Sequence, residues 1–217
     1  MRERARGAEL MDDPAADEAS LLSAHRFIRF VNRFLNGARV SAAAFRRLAP
    51  GGTLLDVGVG SGDIPSAIGA RAVGVDLHRG TLAVARRWSS ILLVRADGRR
   101  LPFPDASFDV VHAAMFLHHL PDDDAIGVLR EMDRVARVGV VVNDLVRNRR
   151  ALAWAWLITR PVHADVRHDA LLSVRRGFRR NEALALARRA GLGYLEYRAH
   201  FGHRFSLSGA KPCTTRS

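Results

Sequence analysis

Apolar residues recur at helical spacing from Ser20 to Leu35, where Leu21, Leu22, Phe27, Ile28, Phe30, Val31, Phe34 and Leu35 form one broad face that Gly37 ends. A second helix is predicted over Ser41 to Leu48. The period then changes. Short apolar runs at Leu54 to Val57, Ala72 to Leu77, a third ending in Asp97, and Phe108 to Ala114 have the length of strands covered on both faces. Asp122-Asp123-Asp124 opens a helix with Ile126, Leu129, Met132 and Val135 on one side, and Val138 to Val142 is a fifth strand. A helix over Ala183 to Arg189 and two strands, Tyr194 to His200 and Arg204 to Ser208, close the chain. Strands and helices alternating through short connections demand a doubly wound α/β domain, a mostly parallel sheet with helices on both faces. Right-handed crossovers bring the loops after the strands into one crevice.

The first strand, Thr53 to Val57, runs into Gly58-Val59-Gly60-Ser61-Gly62 and then Asp63, which suits a helix N-cap. Such a loop also serves as a plain strand-to-helix turn, so the segments after it decide its meaning. A dinucleotide fingerprint needs Gly or Ala where Asp63 stands, and a carboxylate at that helix start repels a pyrophosphate. Asp76 ends the second strand, where an acceptor takes both hydroxyls of a ribose, and Asp97 ends the third. Leu101-Pro102-Phe103-Pro104 leads into Phe108-Asp109-Val110-Val111.

This run resembles the cofactor-binding core of the class I S-adenosylmethionine (SAM) methyltransferases, whose ligand carries a cationic sulfonium and an ammonium group. The resemblance implies SAM as cofactor, bound by Asp56, Gly58, Gly60, Gly62, Asp76, Leu77, Asp97, Gly98 and Ala114. It also implies seven strands with an antiparallel C-terminal edge. In that family the helices before the first strand and an insertion after the fifth enclose the acceptor, which assigns Phe27, Phe30, Phe34, Trp154 and Trp156 to acceptor binding. Packing of those aromatics onto the sheet is the plainer alternative.

The fourth strand ends in Met115-Phe116-Leu117-His118-His119-Leu120-Pro121 rather than the Asn/Asp-Pro-Pro-aromatic motif of nucleobase N-methyltransferases. The lone cysteine, Cys213, lies in the polar tail, so neither a cysteine-dependent cytosine methylation nor a disulfide framework is available. His-His-Leu resembles the small-molecule enzymes, and Asn143-Asp144-Leu145 together with Arg167-His168-Asp169 resembles a subgroup acting on phenolic or polyketide-type products. His119 and His168 are the candidate general bases for a hydroxyl acceptor; both also suit structural roles.

Composition narrows the partners. The chain has 217 residues with 48% hydrophobic content, enough for one core, and no apolar run long enough to span a bilayer. One methyltransferase domain is expected over 1–217, with 1–19 unstructured, a helical cap over 20–50, the cofactor core over 51–145, a lid over 146–180 and a C-terminal helix with edge strands over 181–217. The formal net charge of +12 invites a nucleic-acid partner. Yet almost all of it is arginine, much of it paired at helix ends (Arg46-Arg47, Arg86-Arg87, Arg188-Arg189), the usual place of solvated charge. The expectation is a cytoplasmic enzyme for a small acceptor, without nucleic acid, membrane insertion or metal. C-methylation of a quinone-like acceptor, RNA binding and a non-catalytic scaffold remain as other readings.

Overall fold

A computed structural model describes residues 3–5, 7, 9 and 17–212. Cys213 lies outside them, as do 11–16 within the expected unstructured segment. The elements run α1 (Glu18–Phe34), α2 (Gly37–Leu48), β1 (Thr53–Val57), α3 (Asp63–Ile68), β2 (Arg71–Asp76), α4 (Arg79–Trp88), β3 (Leu92–Arg95), β4 (Phe108–Ala114), α5 (Asp122–Val135), β5 (Ala136–Leu145), α6 (Arg149–Ile158), α7 (Ala164–Arg176), α8 (Arg180–Arg189), β6 (Glu196–His200) and β7 (Arg204–Ala210). They form one seven-stranded sheet in the order β3-β2-β1-β4-β5-β7-β6. Strands β1 to β5 pair in parallel; β7 runs antiparallel to both β5 and β6, which puts β6 on the edge.

Alternation along the strands splits the core between two faces. Leu55, Val57, Val111, Ala113, Val140 and Val142 pack with α5 and α8, whereas Leu54, Val110 and Val141 meet Ala44 and Phe45 of α2. In α5 the predicted stripe is sealed: Leu129, Met132 and Val135 are fully buried, and three aspartates occupy the first turn, where they complement the helix dipole. The arginine pairs lie in the last turns of α2, α4 and α8, the end of the dipole that favours cations.

Three expectations change. Asp63 is the first residue of α3 rather than its cap, because Gly62 (φ +69°) takes the cap position. Strand β5 extends from 136 to 145, because Asn143, Asp144 and Leu145 continue the ladder opposite Ser206, Phe205 and Arg204. The amino-terminal segment is not free where it is described. Arg4 donates to the Arg176, His118 and Leu120 carbonyls, and Glu9 is buried against Ser173 and Arg176.

Candidate active site

The glycine loop is held by its own backbone: the N–H groups of Gly58 and Val59 both donate to the Val75 carbonyl, at 3.0 and 2.9 Å, fixing it to β2. All three glycines have positive φ, but for different neighbours. A Cβ on Gly58 would lie 2.5 Å from the Phe116 ring, and one on Gly62 2.7 Å from Ser89. A Cβ on Gly60 would meet only the His25 ring, at 3.8 Å, so this loop surface is bare towards the crevice. The crevice is a cavity of about 520 Å³. Of the predicted cofactor residues, Asp56, Gly58, Gly60, Asp76, Leu77, Asp97, Gly98 and Ala114 line it. Gly62 does not; it serves the close approach of Ser89 instead.

Asp76 accepts from the His78 N–H at 3.0 Å and from the Gly60 N–H at 3.4 Å, and burial pushes its carboxyl above the usual range. Asp97 lies beyond β3, clasped by the Arg99 guanidinium at 2.7 to 3.1 Å, which holds its carboxyl low. Asp56 lines the crevice while its Oδ1 pairs with Nδ1 of His112 at 2.6 Å. Nε2 of His112 meets Ser41, which accepts from Asn143. The chain Asn143–Ser41–His112–Asp56 thus braces the loop from behind.

At the other end of the crevice stand two side chains that the sequence reading missed. His25 and Asn32 share the inner face of α1 with Leu21 and Ile28, and a polar residue repeating on an apolar stripe was the signal. His25 is 2% exposed and neither ring nitrogen has a hydrogen-bond partner among the described residues. Burial pushes its pKa down to about 4. Asn32 donates to Asp63, whose other oxygen accepts from Ser61.

A second cavity, of about 100 Å³, adjoins the first and shares Ile28, Met115 and His119 with it. Met115 holds a left-handed backbone (φ +52°) at this junction, uncommon for a residue with a side chain. Phe27 and Trp154 line the chamber as expected. Phe30, Phe34 and Trp156 do not: they are 52, 61 and 50% exposed, on the outer sides of α1 and α6. His119 lines both cavities, whereas His168 points outward from α7 with its side chain 71% exposed, beside Asp169 at 3.5 Å. His168 is therefore displaced from the site by helix phase. In its place stands His118, which lines the chamber and pairs with Asp144. Glu9, His118 and His119 also offer ligand atoms within 4.8 Å of one another, a grouping that the expectation of no metal did not foresee.

Residues 55–142 match the family profile described as a methyltransferase domain. That match over the cofactor-binding core supports a class I SAM-dependent methyltransferase. Its similarity to the ubiquinone/menaquinone biosynthesis C-methyltransferase of Stenotrophomonas maltophilia is 39% identity over 110 residues, 44% of this chain and 42% of that relative. The phosphatidylethanolamine N-methyltransferase of Cereibacter sphaeroides is 36% identical over 132 residues, 53% of this chain and 64% of that one. The match thus spans less than half the length of the first relative and under two thirds of the second. Among solved structures, an O-methyltransferase family protein from Burkholderia thailandensis superposes with a TM-score of 0.69 over 95% of this chain and 64% of that chain, at 15% identity, a likeness of fold.

The crevice of this methyltransferase fits the family's cofactor. Asp76 presents a carboxyl to the crevice, as a ribose would require, the bare surface of Gly60 leaves room for a close ligand, and Asp56, Asp63, Asp76 and Asp97 make the lining acidic, as suits a cationic ligand. The orphaned nitrogens of His25 face the same crevice and suit the amino-acid end of the cofactor. Among the described residues no helix is long and apolar enough to cross a membrane.

Proposed function

We propose that this protein transfers the methyl group of SAM to the hydroxyl oxygen of a small, largely apolar acceptor, of phenolic or polyketide type. The observation that carries this reading is the chamber beside the crevice, walled by Phe27, Ile28, Val31, Trp154 and Ile158 and joined to the cofactor site at Met115 and His119. An engineered cavity of about 150 Å³ holds one benzene ring, so a chamber of about 100 Å³ that opens on the crevice suits a reacting part of one ring. Apolar walls shed water and leave the acceptor held by shape, and positioning next to the methyl group supplies most of the acceleration. We assign the partner to the small-molecule class, because a chamber of about 100 Å³ accepts a ring and not a duplex.

The relatives named above act, by their names, on carbon and on nitrogen, so likeness alone does not select the methylated atom. Polar groups at the chamber favour oxygen: the histidines His118 and His119 border it, and they are the groups that a hydroxyl acceptor needs for proton removal. The purified protein, given methyl-deuterated SAM and a panel of phenols, enols, quinols and amines, is expected to label the hydroxyl oxygen of a monocyclic or fused phenol, as read by mass spectrometry. Label on a ring carbon of a quinol, or on nitrogen only, overturns the oxygen assignment.

A further inference from the structure

Two aspartate–histidine pairs are buried among the described residues, and they end differently. In the first, His112 is closed at both nitrogens, by Asp56 on Nδ1 and Ser41 on Nε2, and lines neither cavity. In the second, Nδ1 of His118 lies 2.6 Å from Oδ1 of Asp144, while Nε2 is buried without a hydrogen-bond partner among the described residues. The ring of His118 is 1% exposed and lines the acceptor chamber. Leaving such an atom unpaired forfeits its hydration without replacement. A purely structural histidine, as His112 illustrates, avoids that cost.

Asp144 orients the ring of His118 through Nδ1. Burial raises the Asp144 carboxyl, but His118 and the Leu145 N–H (2.7 Å) outweigh it and hold the group below the usual range, so it is an ionised, accept-only partner. The His118 N–H adds a contact to Oδ2 at 3.2 Å. In the neutral ring, a proton on Nδ1 towards Asp144 leaves the lone pair on Nε2. The ring lies 4.2 Å from that of His119, centroid to centroid, at the junction with the crevice. Other charged groups surround it: the Glu9 carboxylate 3.9 Å from Nε2, Asp169 across the chamber on α7, Arg4 and Arg176 on the His118 carbonyl, and Arg204 of β7 acting on Asp144.

We propose that His118, oriented by Asp144, is the general base of the reaction, and that the acceptor is a weakly acidic hydroxyl whose proton Nε2 removes. The inference rests on the reading of the chamber as the acceptor site. As the hydroxyl oxygen forms its bond to the methyl carbon, the carbon–sulfur bond breaks with its electron pair left on sulfur. The O–H proton passes to Nε2 and later to solvent, and the products are the methyl ether and neutral S-adenosylhomocysteine. His119 is the neighbour at the mouth, and Asp144 is a positioning residue that acts through His118.

The test uses the full chain and the best hydroxyl acceptor from the labelling screen. His118→Asn is expected to lower kcat by about 10²- to 10⁴-fold and to abolish the rise of rate with pH, with SAM affinity by calorimetry unchanged. Asp144→Asn is expected to lower kcat and alter the pH profile while KM for the acceptor stays. If those variants do not fold, acceptors of graded acidity on the unaltered protein decide: a base gives a shallow dependence of rate on hydroxyl acidity, whereas its absence makes rate follow the ionised fraction. A loss under tenfold with the pH profile intact overturns the proposal and leaves the methyl-transfer reading standing. Activity that chelator removes and zinc restores overturns it in favour of an ion on Glu9, His118 and His119. SAM binding without methylation of any hydroxyl overturns both.

Discussion

Nδ1 of His112 on β4 lies 2.6 Å from Oδ1 of Asp56 on β1, so the carboxylate at the root of the glycine loop is clamped by the neighbouring strand. Burial raises the Asp56 carboxyl and His112 opposes the rise. Asp144, equally buried and paired to its histidine at the same distance, is instead held low: to the pull of His118 it adds a backbone N–H from Leu145 and the nearby His119, whereas Asp56 has Asp63 close by, which raises it. Removing the clamp by His112→Ala is expected to cost about 3 to 5 kcal/mol, the penalty of stranding one partner of a buried pair. Urea denaturation reads this directly, and a cost below about 1 kcal/mol would mean that Asp56 stands without its partner.

Gly58 and Gly60 are expected to separate stability from binding. An alanine at 58 puts its Cβ 2.5 Å from the Phe116 ring at φ +69°, so Gly58→Ala should lose about 2 kcal/mol or more of stability along with SAM affinity. An alanine at 60 meets no protein atom nearer than 3.8 Å and pays chiefly for φ +55°, about 1 to 2 kcal/mol. Its larger effect should be on calorimetric SAM affinity. Equal losses of stability at both positions would refute the contrast.

Asp76→Ala is expected to weaken SAM binding by about 2 to 4 kcal/mol, because a carboxylate acceptor lining the crevice is lost. Calorimetry decides the matter. An unchanged dissociation constant removes Asp76 from the cofactor site.

His25 makes stability depend on pH. Below the ordinary imidazole value of 6.5 the unfolded chain binds a proton that the folded chain refuses until about 4, because burial disfavours the charged ring. Stability should therefore fall as pH drops through that window, by about 3 kcal/mol at 1.36 kcal/mol per unit. Denaturant midpoints of the native protein and of His25→Leu, compared across the window, should diverge by that amount. Parallel curves would mean that the ring is solvated in solution.

The two tryptophans of α6 should behave oppositely. Trp154 lines the chamber while Trp156 is half exposed on the other side of α6, with Arg160 over its ring. Trp154→Ala is expected to raise the acceptor KM about tenfold or more, in line with an apolar contact of about 1.5 to 3 kcal/mol. Trp156→Ala should leave it within twofold. Steady-state kinetics with a methylated phenol reverses the assignment if Trp156 is the sensitive position.

Much of this protein was legible along the chain, because strand-length apolar runs, a glycine loop and a carboxylate at a strand end are local signals. β1, β4, Gly58, Gly60 and Asp76 stand where periodicity and turn chemistry put them, since a buried parallel strand needs an unbroken apolar run and a loop beside a ligand needs positive φ. Even His25 left a trace, as a polar residue on the apolar face of α1.

Orientation within the lid and the choice among histidines belonged to tertiary structure. Phe27 faces inward and Phe30 outward on one helix, and Trp154 and Trp156 divide in the same way, according to which side of α1 and α6 packs against α7 and the sheet. His118 and His119 are adjacent in a single tight turn, and His168 sits beside an aspartate in the sequence, so no local signal ranks them. The ranking came from the β4–β5 pairing, which sets Ala114 opposite Asn143 and so brings Asp144 against His118 across 26 positions of chain. Glu9 reached the same place from 109 residues away. Contacts of that kind arise from the packing of separate elements, and neither periodicity nor spacing encodes them.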